Sequence, residues 1–323
     1  MSHAIRVLAT GGPEVLQWEQ VPTPEPGPGQ VLIKQAAVGL NFIDVYFRSG
    51  LYKTPLPMTP GMEAAGTILR LGPGVADLRE GDRVAYASMP LGAYAEHRVM
   101  PADRLVHLPD GLSFETAAGM MMTGLTAQFL LHRTYKVAPG DTVLIYAAAG
   151  GVGLVLCQWA KHLGASVIGV VSRESKVALA ASHGADHVLL AHEDIPARVR
   201  DITSGAMVPV VYDSIGRDTF EASLDCLAPL GMMVSYGNAS GPVPPVDISQ
   251  LAAKGSLFLT RPSLVTYTAK RKALLSAAEA LFAVVEKGIV RIEVEQTFPL
   301  RDAAEAHRAL EARQTTGSTV LLP

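Results

Sequence analysis

Two stretches of this 323-residue chain carry residues whose types and spacing could do chemistry. The first is the turn Ala147-Ala-Ala-Gly-Gly-Val-Gly153. Laid over the dinucleotide fingerprint G-x-G-x-x-G, it places Ala148 first, Gly150 second and Gly153 third, so two of the three glycines are present. The second glycine lets backbone approach a pyrophosphate, and the third lets a helix pack closely on a strand. A helix N-terminus beyond the turn offers free N–H groups at the positive end of its dipole. The second stretch lies where an NAD site usually places Asp or Glu to hold the ribose 2′-hydroxyl. Here that position is Ser172, followed by Arg173 and Lys176. An acidic repeller of a 2′-phosphate is missing and two cations are supplied, so NADPH is the expected cofactor. Ser172 as a helix N-cap, with the cations in a solvated first turn, is a simpler and compatible reading.

The elements that must hold these residues follow from hydrophobic pattern. Thr142 to Tyr146 is an apolar run short enough for one strand of a buried parallel sheet. Val152, Leu156, Trp159, Ala160 and Leu163 recur at helical spacing up to Gly164, the residue a helix end prefers. Ser166 to Val171 completes a strand, turn, helix, strand unit. Further apolar runs at 188–190, 208–212, 232–236 and 256–259, several separated by helical segments, give the rhythm of a doubly wound parallel sheet. Its ligand crevice lies at the carboxyl ends of the strands, which makes Asp213-Ser-Ile-Gly216 and Gly237-Asn-Ala-Ser-Gly241 candidate crevice loops.

The front of the chain has a different rhythm. Strands are expected at 4–8, 15–21 and 30–38, around a proline-rich loop that cannot enter a sheet. Asn41 to Gly50 reads as a short helix with Asn41 as N-cap and Asp44 three residues on. Glycine-punctuated strands follow, including Gly61-Met-Glu-Ala-Ala-Gly66 and Gly81 to Tyr86, at a density that suggests a small barrel. Glu63 sits among apolar residues and reads as a structural carboxylate. From Ser113 to about Tyr135 the pattern is helical, with Gly124 interrupting it. An amphipathic helix at 268–287 and a β run at 319–322 form a tail expected to return to the front domain. The expected division is 1–124, 125–264 and 265–323.

Composition narrows the function classes. A hydrophobic fraction of 49% and a charged fraction of 18% allow large cores and argue against disorder. The net charge of −3 provides no global field for nucleic acid or an anionic membrane. The two cysteines, Cys157 and Cys226, are too few for a disulfide framework or a four-cysteine zinc lobe, and point to a reducing compartment. No signal-peptide core is found at the N-terminus, so a cytoplasmic protein is expected. Thr142 to Ala160 is uncharged and long enough to mimic a membrane span, but its mid-run glycines fit strand, turn and helix better. No G-x-S-x-G or G-K-[ST] motif occurs, which disfavours a hydrolase and a phosphate-loop NTPase.

With these residues in view, the chain resembles the zinc-independent quinone oxidoreductases of the medium-chain dehydrogenase/reductase superfamily over nearly its full length. The resemblance is carried by Gly11-Gly-Pro-Glu-Val-Leu16, Asn41-Phe-Ile-Asp44, Arg48-Ser-Gly-Leu-Tyr52, Gly61-Met-Glu-Ala-Ala-Gly66, the 147–153 turn with Gln158, Tyr212 to Asp218, Thr260-Arg-Pro-Ser263 and Arg313-Gln-Thr-Thr-Gly317. It implies a GroES-like barrel domain beside an NADPH-binding Rossmann domain, no flavin, and a homodimer built through the cofactor domains. Asn41, Tyr46 and Tyr52 would line the quinone pocket, with Thr126 near the nicotinamide. Gly151, Val152, Ser172, Lys176, Asn238 and Arg313 would hold the cofactor, Lys176 and Arg313 on its 2′-phosphate side. Phe42, Asp44, Gly150, Arg173, Gly216, Tyr236 and Gly237 complete the cofactor-side candidates. Where similar proteins often carry Tyr after the third cofactor-domain strand, this chain has His192, a possible substitute. Zinc-dependent relatives supply Cys at the position of Asn41 and His at that of Met62, so no metal is expected.

The chemistry that follows is quinone reduction. Ketone reduction needs help with alkoxide charge, often from a metal. A quinone becomes aromatic on accepting hydride and leaves a weakly basic phenolate, so alignment, a dry site and one or two hydrogen-bond donors suffice. A conjugated enone or alkenal needs similar equipment, and reduction of its double bond is the nearest alternative. A regulatory or crystallin-type NADPH-binding protein is the alternative from another class.

Overall fold

The computed structural model describes residues 1–323. The chain divides into two compact units, one of residues 1–125, 268–286 and 292–323, the other of residues 126–267 and 287–291.

The second unit is built on a six-stranded, all-parallel sheet in the spatial order His187–Leu190, Ser166–Val171, Thr142–Tyr146, Val208–Asp213, Leu227–Ser235, Phe258–Thr260. The chain steps outward twice from Thr142–Tyr146 and then crosses to Val208–Asp213 on the other side. That reversal makes the topological switch point where such sheets bind ligands. Val143, Leu144 and Ile145 are fully buried, as befits a strand enclosed on both faces. The helix Gly151–His162 follows the turn and buries Leu154 to Ala160. Leu163 caps it, and Gly164 reverses the chain at φ +88°.

In the first unit a seven-stranded sheet runs Val294–Pro299, Ser318–Leu322, Gln30–Leu40, Glu63–Leu71, Arg83–Ala87, Val106–His107, with His97–Pro101 also pairing Gln30–Leu40. Gln30–Leu40 is the hub, pairing antiparallel with three neighbours and bulging twice against Glu63–Leu71. Such bulges add bend and twist, the curvature a barrel wall needs. The strand Ser318–Leu322 inserts between Gln30–Leu40 and Val294–Pro299.

Three expectations need correction. Gly124 does not interrupt its helix, because Phe114–Phe129 runs through it and continues as a π-helical turn at Leu130–Thr134. Its glycine character comes from packing, since a Cβ there would fall 2.4 Å from Leu281 Cδ1 on the helix Arg271–Glu286. Ser172 is not an N-cap either. Arg173 takes that place ahead of the 3₁₀ turn Glu174–Lys176, and the helix Val177–Ser182 follows. Of the tail expected in the front domain, residues 265–267 and 287–291 group with the second unit. The sequence reading also passed over the strand Val294–Pro299 and the helix Ala303–Glu311. No helix is long and apolar enough to cross a membrane.

Candidate active site

Within the second unit, the candidate cofactor residues cluster at the carboxyl ends of strands. Ala147 turns the chain at φ +52°, in the left-handed region, and its carbonyl accepts from the Gly150 N–H at 2.9 Å. Gly150 then stands as N-cap of Gly151–His162 in extended conformation with no side-chain cap. The first-turn N–H groups of Gly151, Val152 and Gly153 have no intrahelical acceptor and point out of the helix end. A Cβ on Gly153 would lie 2.2 Å from Ala147 O and 2.8 Å from Ala148 Cα, so glycine is obligatory where helix meets turn. At Gly150 the nearest contact would be 3.2 Å, tight but tolerable. This cradle of bare N–H groups, with the exposed Ser172 and Arg173 and half-buried Lys176 after the next strand, fits a dinucleotide bearing a 2′-phosphate. Thr126, at the start of the unit, is buried.

The two crevice loops are stitched together. Ala239 N–H and Ser240 N–H donate to Ser214 O and Ile215 O at 3.2 and 2.8 Å, and Arg217 N–H donates to Gly241 O at 3.2 Å. A Cβ on Gly216 would fall 2.6 Å from Gly241 O, and one on Gly237 would fall 2.3 Å from Ser214 O. Their glycine character is therefore explained by loop packing alone. Beneath them, buried Asp213 accepts from Ile215 N–H, Gly216 N–H, Thr219 Oγ1 and Ser223 Oγ at 2.7 to 3.1 Å, a set that fixes the loop's entry. Arg261 donates through Nη1 to Ser235 O and Gly237 O at 3.0 and 2.8 Å. The amide of Asn238 is satisfied by donating to Gly237 O at 2.9 Å and accepting from Arg261 Nη2 at 3.0 Å. Sequence reading missed this role of Arg261, although Thr260-Arg-Pro-Ser263 had drawn notice. Tyr236 is half-buried at the strand end, and its N–H donates to Asp213 O at 2.8 Å. His192 is exposed in the turn after His187–Leu190.

Within the first unit, the candidate acceptor residues gather around the helix Phe42–Arg48. Asn41 is its N-cap, and its backbone N–H donates to Asp44 Oδ2 at 2.9 Å. The Asn41 side chain also reaches beyond the cap. Its Nδ2 donates to Glu63 Oε2 at 2.6 Å, while Glu63 Oε1 accepts from Met122 N–H at 2.6 Å. That contact uses one of two amide hydrogens and leaves the second, with the amide oxygen, outside it. Tyr46 and Tyr52 meet edge to face at 5.2 Å between ring centroids, Phe47 meets Tyr52 at 5.6 Å, and Phe42 lies 6.2 Å from Tyr46. Tyr52 N–H donates to Tyr46 O at 2.9 Å, which folds the loop after the helix back onto it. Arg313 follows the helix Ala303–Glu311, exposed and at φ +57°.

Electrostatically this half is marked by two buried carboxylates, Asp44 and Glu63. Burial pushes Glu63 up to about 8, against the lowering effect of the Met122 and Asn41 donors. It also pushes Asp44 up to about 7, opposed by hydrogen bonds from Asn41 N–H and Tyr94. Met62 is buried beside Glu63, and no three His, Cys, Asp or Glu side chains gather in metal-binding geometry. Both thiols, Cys157 and Cys226, are pushed up to about 12 by burial and are unfit as nucleophiles.

Comparison with known proteins gives a consistent result. The family model described as alcohol dehydrogenase GroES-like domain matches residues 27–110, and that described as zinc-binding dehydrogenase matches residues 151–277. A quinone oxidoreductase of Pseudomonas aeruginosa is 52% identical, covering 100% of both chains. A 2-haloacrylate reductase of a Burkholderia species is 47% identical, covering 100% of this chain and 99% of that one. Among solved structures, Escherichia coli quinone oxidoreductase complexed with NADPH superposes with a TM-score of 0.98 at 46% identity, covering 99% of this chain and 100% of that chain.

Proposed function

Because the chain belongs to the quinone oxidoreductases of the medium-chain dehydrogenase/reductase superfamily, we propose that it reduces quinones with NADPH, without metal or flavin. The observation that carries this reading is Asn41, an amide held by Glu63 where zinc-dependent relatives place a thiolate ligand. A catalytic zinc needs about three ligands of N, S or carboxylate type. Neither Asn41 nor Met62 supplies one.

NADPH, when bound, supplies the hydride. The N–H groups of Gly151 and Val152, beyond the bare Gly150, take the pyrophosphate. Ser172, Arg173 and Lys176 take the 2′-phosphate, joined by Arg313, and His192 serves the adenosine side. Asn238 and the loops of Gly216, Tyr236 and Gly237 flank the cofactor, with Thr126 toward the nicotinamide. Phe42 and Asp44 support Asn41 from its own helix. The remaining amide hydrogen of Asn41 donates to the acceptor oxygen as charge develops there, with the phenols of Tyr46 and Tyr52 as further donors. Water delivers the last proton, giving the hydroquinone.

A second reading is favoured by the likeness to a 2-haloacrylate reductase. A conjugated acid or alkenal also spreads charge to an oxygen on accepting hydride, so the same donors would serve. Steady-state oxidation of NADPH with a benzoquinone and an alkenal in parallel, after chelation, decides between the two. Turnover of the quinone at the higher kcat/KM is expected. Cofactor binding without turnover of either would instead indicate a regulatory NADPH-binding protein.

The same reading makes the protein a cytoplasmic homodimer joined through its cofactor units. The outermost strand Phe258–Thr260 supports this, with Phe258 56% and Leu259 37% exposed on an unpaired sheet edge. Sedimentation of wild type against Leu259→Lys tests it, the variant being expected to run as a monomer.

A further inference from the structure

Behind the helix Phe42–Arg48 lies a buried hydrogen-bonded series that the proposed reaction does not use. Arg48 is 2% exposed. Its Nη1 and Nη2 donate to the two Glu311 carboxylate oxygens at 2.8 Å each, and its Nε donates to Gly11 O at 3.1 Å. Nη1 also lies 3.0 Å from His307 Nδ1. His307 Nε2 lies 3.0 Å from the Tyr94 hydroxyl, which lies 3.1 Å from Asp44 Oδ2. His307, Tyr94 and Asp44 are all fully buried.

Donor and acceptor rules give this series one direction. A guanidinium has only donors, so the nitrogen facing Arg48 must carry a lone pair. His307 is then neutral with its proton on Nε2, which donates to the Tyr94 oxygen. That leaves the Tyr94 hydrogen for Asp44 Oδ2, the same oxygen that accepts the Asn41 backbone N–H at 2.9 Å. Burial and the neighbouring Arg48 charge push His307 down to about 3, in keeping with a neutral ring. Asp44 Oδ1 has no partner, so the carboxylate's orientation rests on the two donors to Oδ2.

We propose that His307 is a positioning residue for the acceptor site, fixing Asn41 through a one-way series of hydrogen bonds from His307 to Tyr94 to Asp44. The proposal rests on the reading of Asn41 as the donor to the acceptor oxygen. It also gives the helix Ala303–Glu311 a purpose, since that helix supplies both His307 and Glu311. Neither Arg48, Tyr94 nor His307 touches the acceptor in this scheme.

The test has a spectroscopic arm and a kinetic arm, both on the full chain. Nitrogen NMR of histidine-labelled protein is expected to show one ring with Nδ1 unprotonated and Nε2 protonated throughout the neutral range. That resonance should be absent in His307→Gln. An Nδ1-protonated ring or an imidazolium at this position would overturn the proposal. In the kinetic arm, His307→Leu and Tyr94→Phe are each expected to lower kcat/KM for a benzoquinone about tenfold, with NADPH affinity by fluorescence titration unchanged. His307→Gln can accept from Arg48 and donate to Tyr94, and should recover to within about threefold of wild type. Unchanged kcat/KM in Tyr94→Phe, or no recovery in His307→Gln, would also overturn it. The nitrogen spectrum does not depend on turnover, so failure of this series and failure of the quinone-reductase reading are separate results.

Discussion

Gly39 stands so close to Glu63 that a Cβ on it would fall 2.2 Å from Glu63 Oε2. The strand Gln30–Leu40 thus opens one residue's width for a carboxylate that burial has pushed up from 4.5 to about 8. In the unfolded chain Glu63 ionises near 4.5, whereas in the folded protein it keeps its proton to about 8. Its contribution to stability is therefore full below about 4.5, declines as pH rises toward about 8, and is level beyond. Asp44 acts with the same sign between 3.8 and about 7. In Glu63→Gln the melting temperature should fall less steeply than in wild type as pH rises from about 4.5 to about 8. Parallel curves for the two proteins would refute this.

Asn41→Ala should lower kcat/KM for a quinone by an amount equivalent to about 1 to 3 kcal/mol, without abolishing turnover. The Asn41 backbone N–H remains to hold Asp44, so the fold should persist. Fluorescence titration with NADPH should give wild-type affinity. A loss confined to cofactor binding would place Asn41 outside the acceptor site. Tyr52→Phe is the companion measurement, and an unchanged kcat/KM would remove that phenol from the site.

Gly153→Ala should weaken NADPH binding and lower stability together, because the added methyl meets backbone at 2.2 Å and the helix Gly151–His162 must shift away from its turn. The paired variant Gly150→Ala meets a single carbonyl at 3.2 Å and should cost much less stability. Equal melting temperatures for the two variants would contradict the packing argument.

Lys176→Glu and Arg173→Glu should each raise KM for NADPH while leaving KM for NADH nearly unchanged, since only the former cofactor carries the extra phosphate. Parallel kinetics with both cofactors check this. Wild type preferring NADH would overturn the assignment of these cations.

The cofactor half was legible in sequence because its signals are local. A strand buried on both faces reads as an unbroken apolar run, and the turn, helix and next strand follow within thirty residues of Thr142. The acceptor half was legible only in part. Asn41, Asp44 and the aromatic residues beside them lie close together in the chain, but the partner of the Asn41 amide is Glu63, which reads in sequence as a structural carboxylate. The Tyr94 to His307 contact joins residues 213 positions apart, and no spacing rule reaches that far. Gly124 misled for the opposite reason, since a glycine within a helical pattern looks the same whether it ends the helix or admits a neighbour such as Leu281.

The strand Ser318–Leu322 lies between Gln30–Leu40 and Val294–Pro299. During synthesis, the ribosome delivers residues 126–267 as one stretch that holds every strand of the parallel sheet. That sheet can assemble on the nascent polypeptide, while residues 38–40 of the strand Gln30–Leu40, past its pairing with His97–Pro101, wait with one edge open for almost three hundred further residues. Premature stop codons between positions 291 and 318 should therefore yield products that still capture nucleotide, more weakly where Arg313 is lost, yet clump through that open edge.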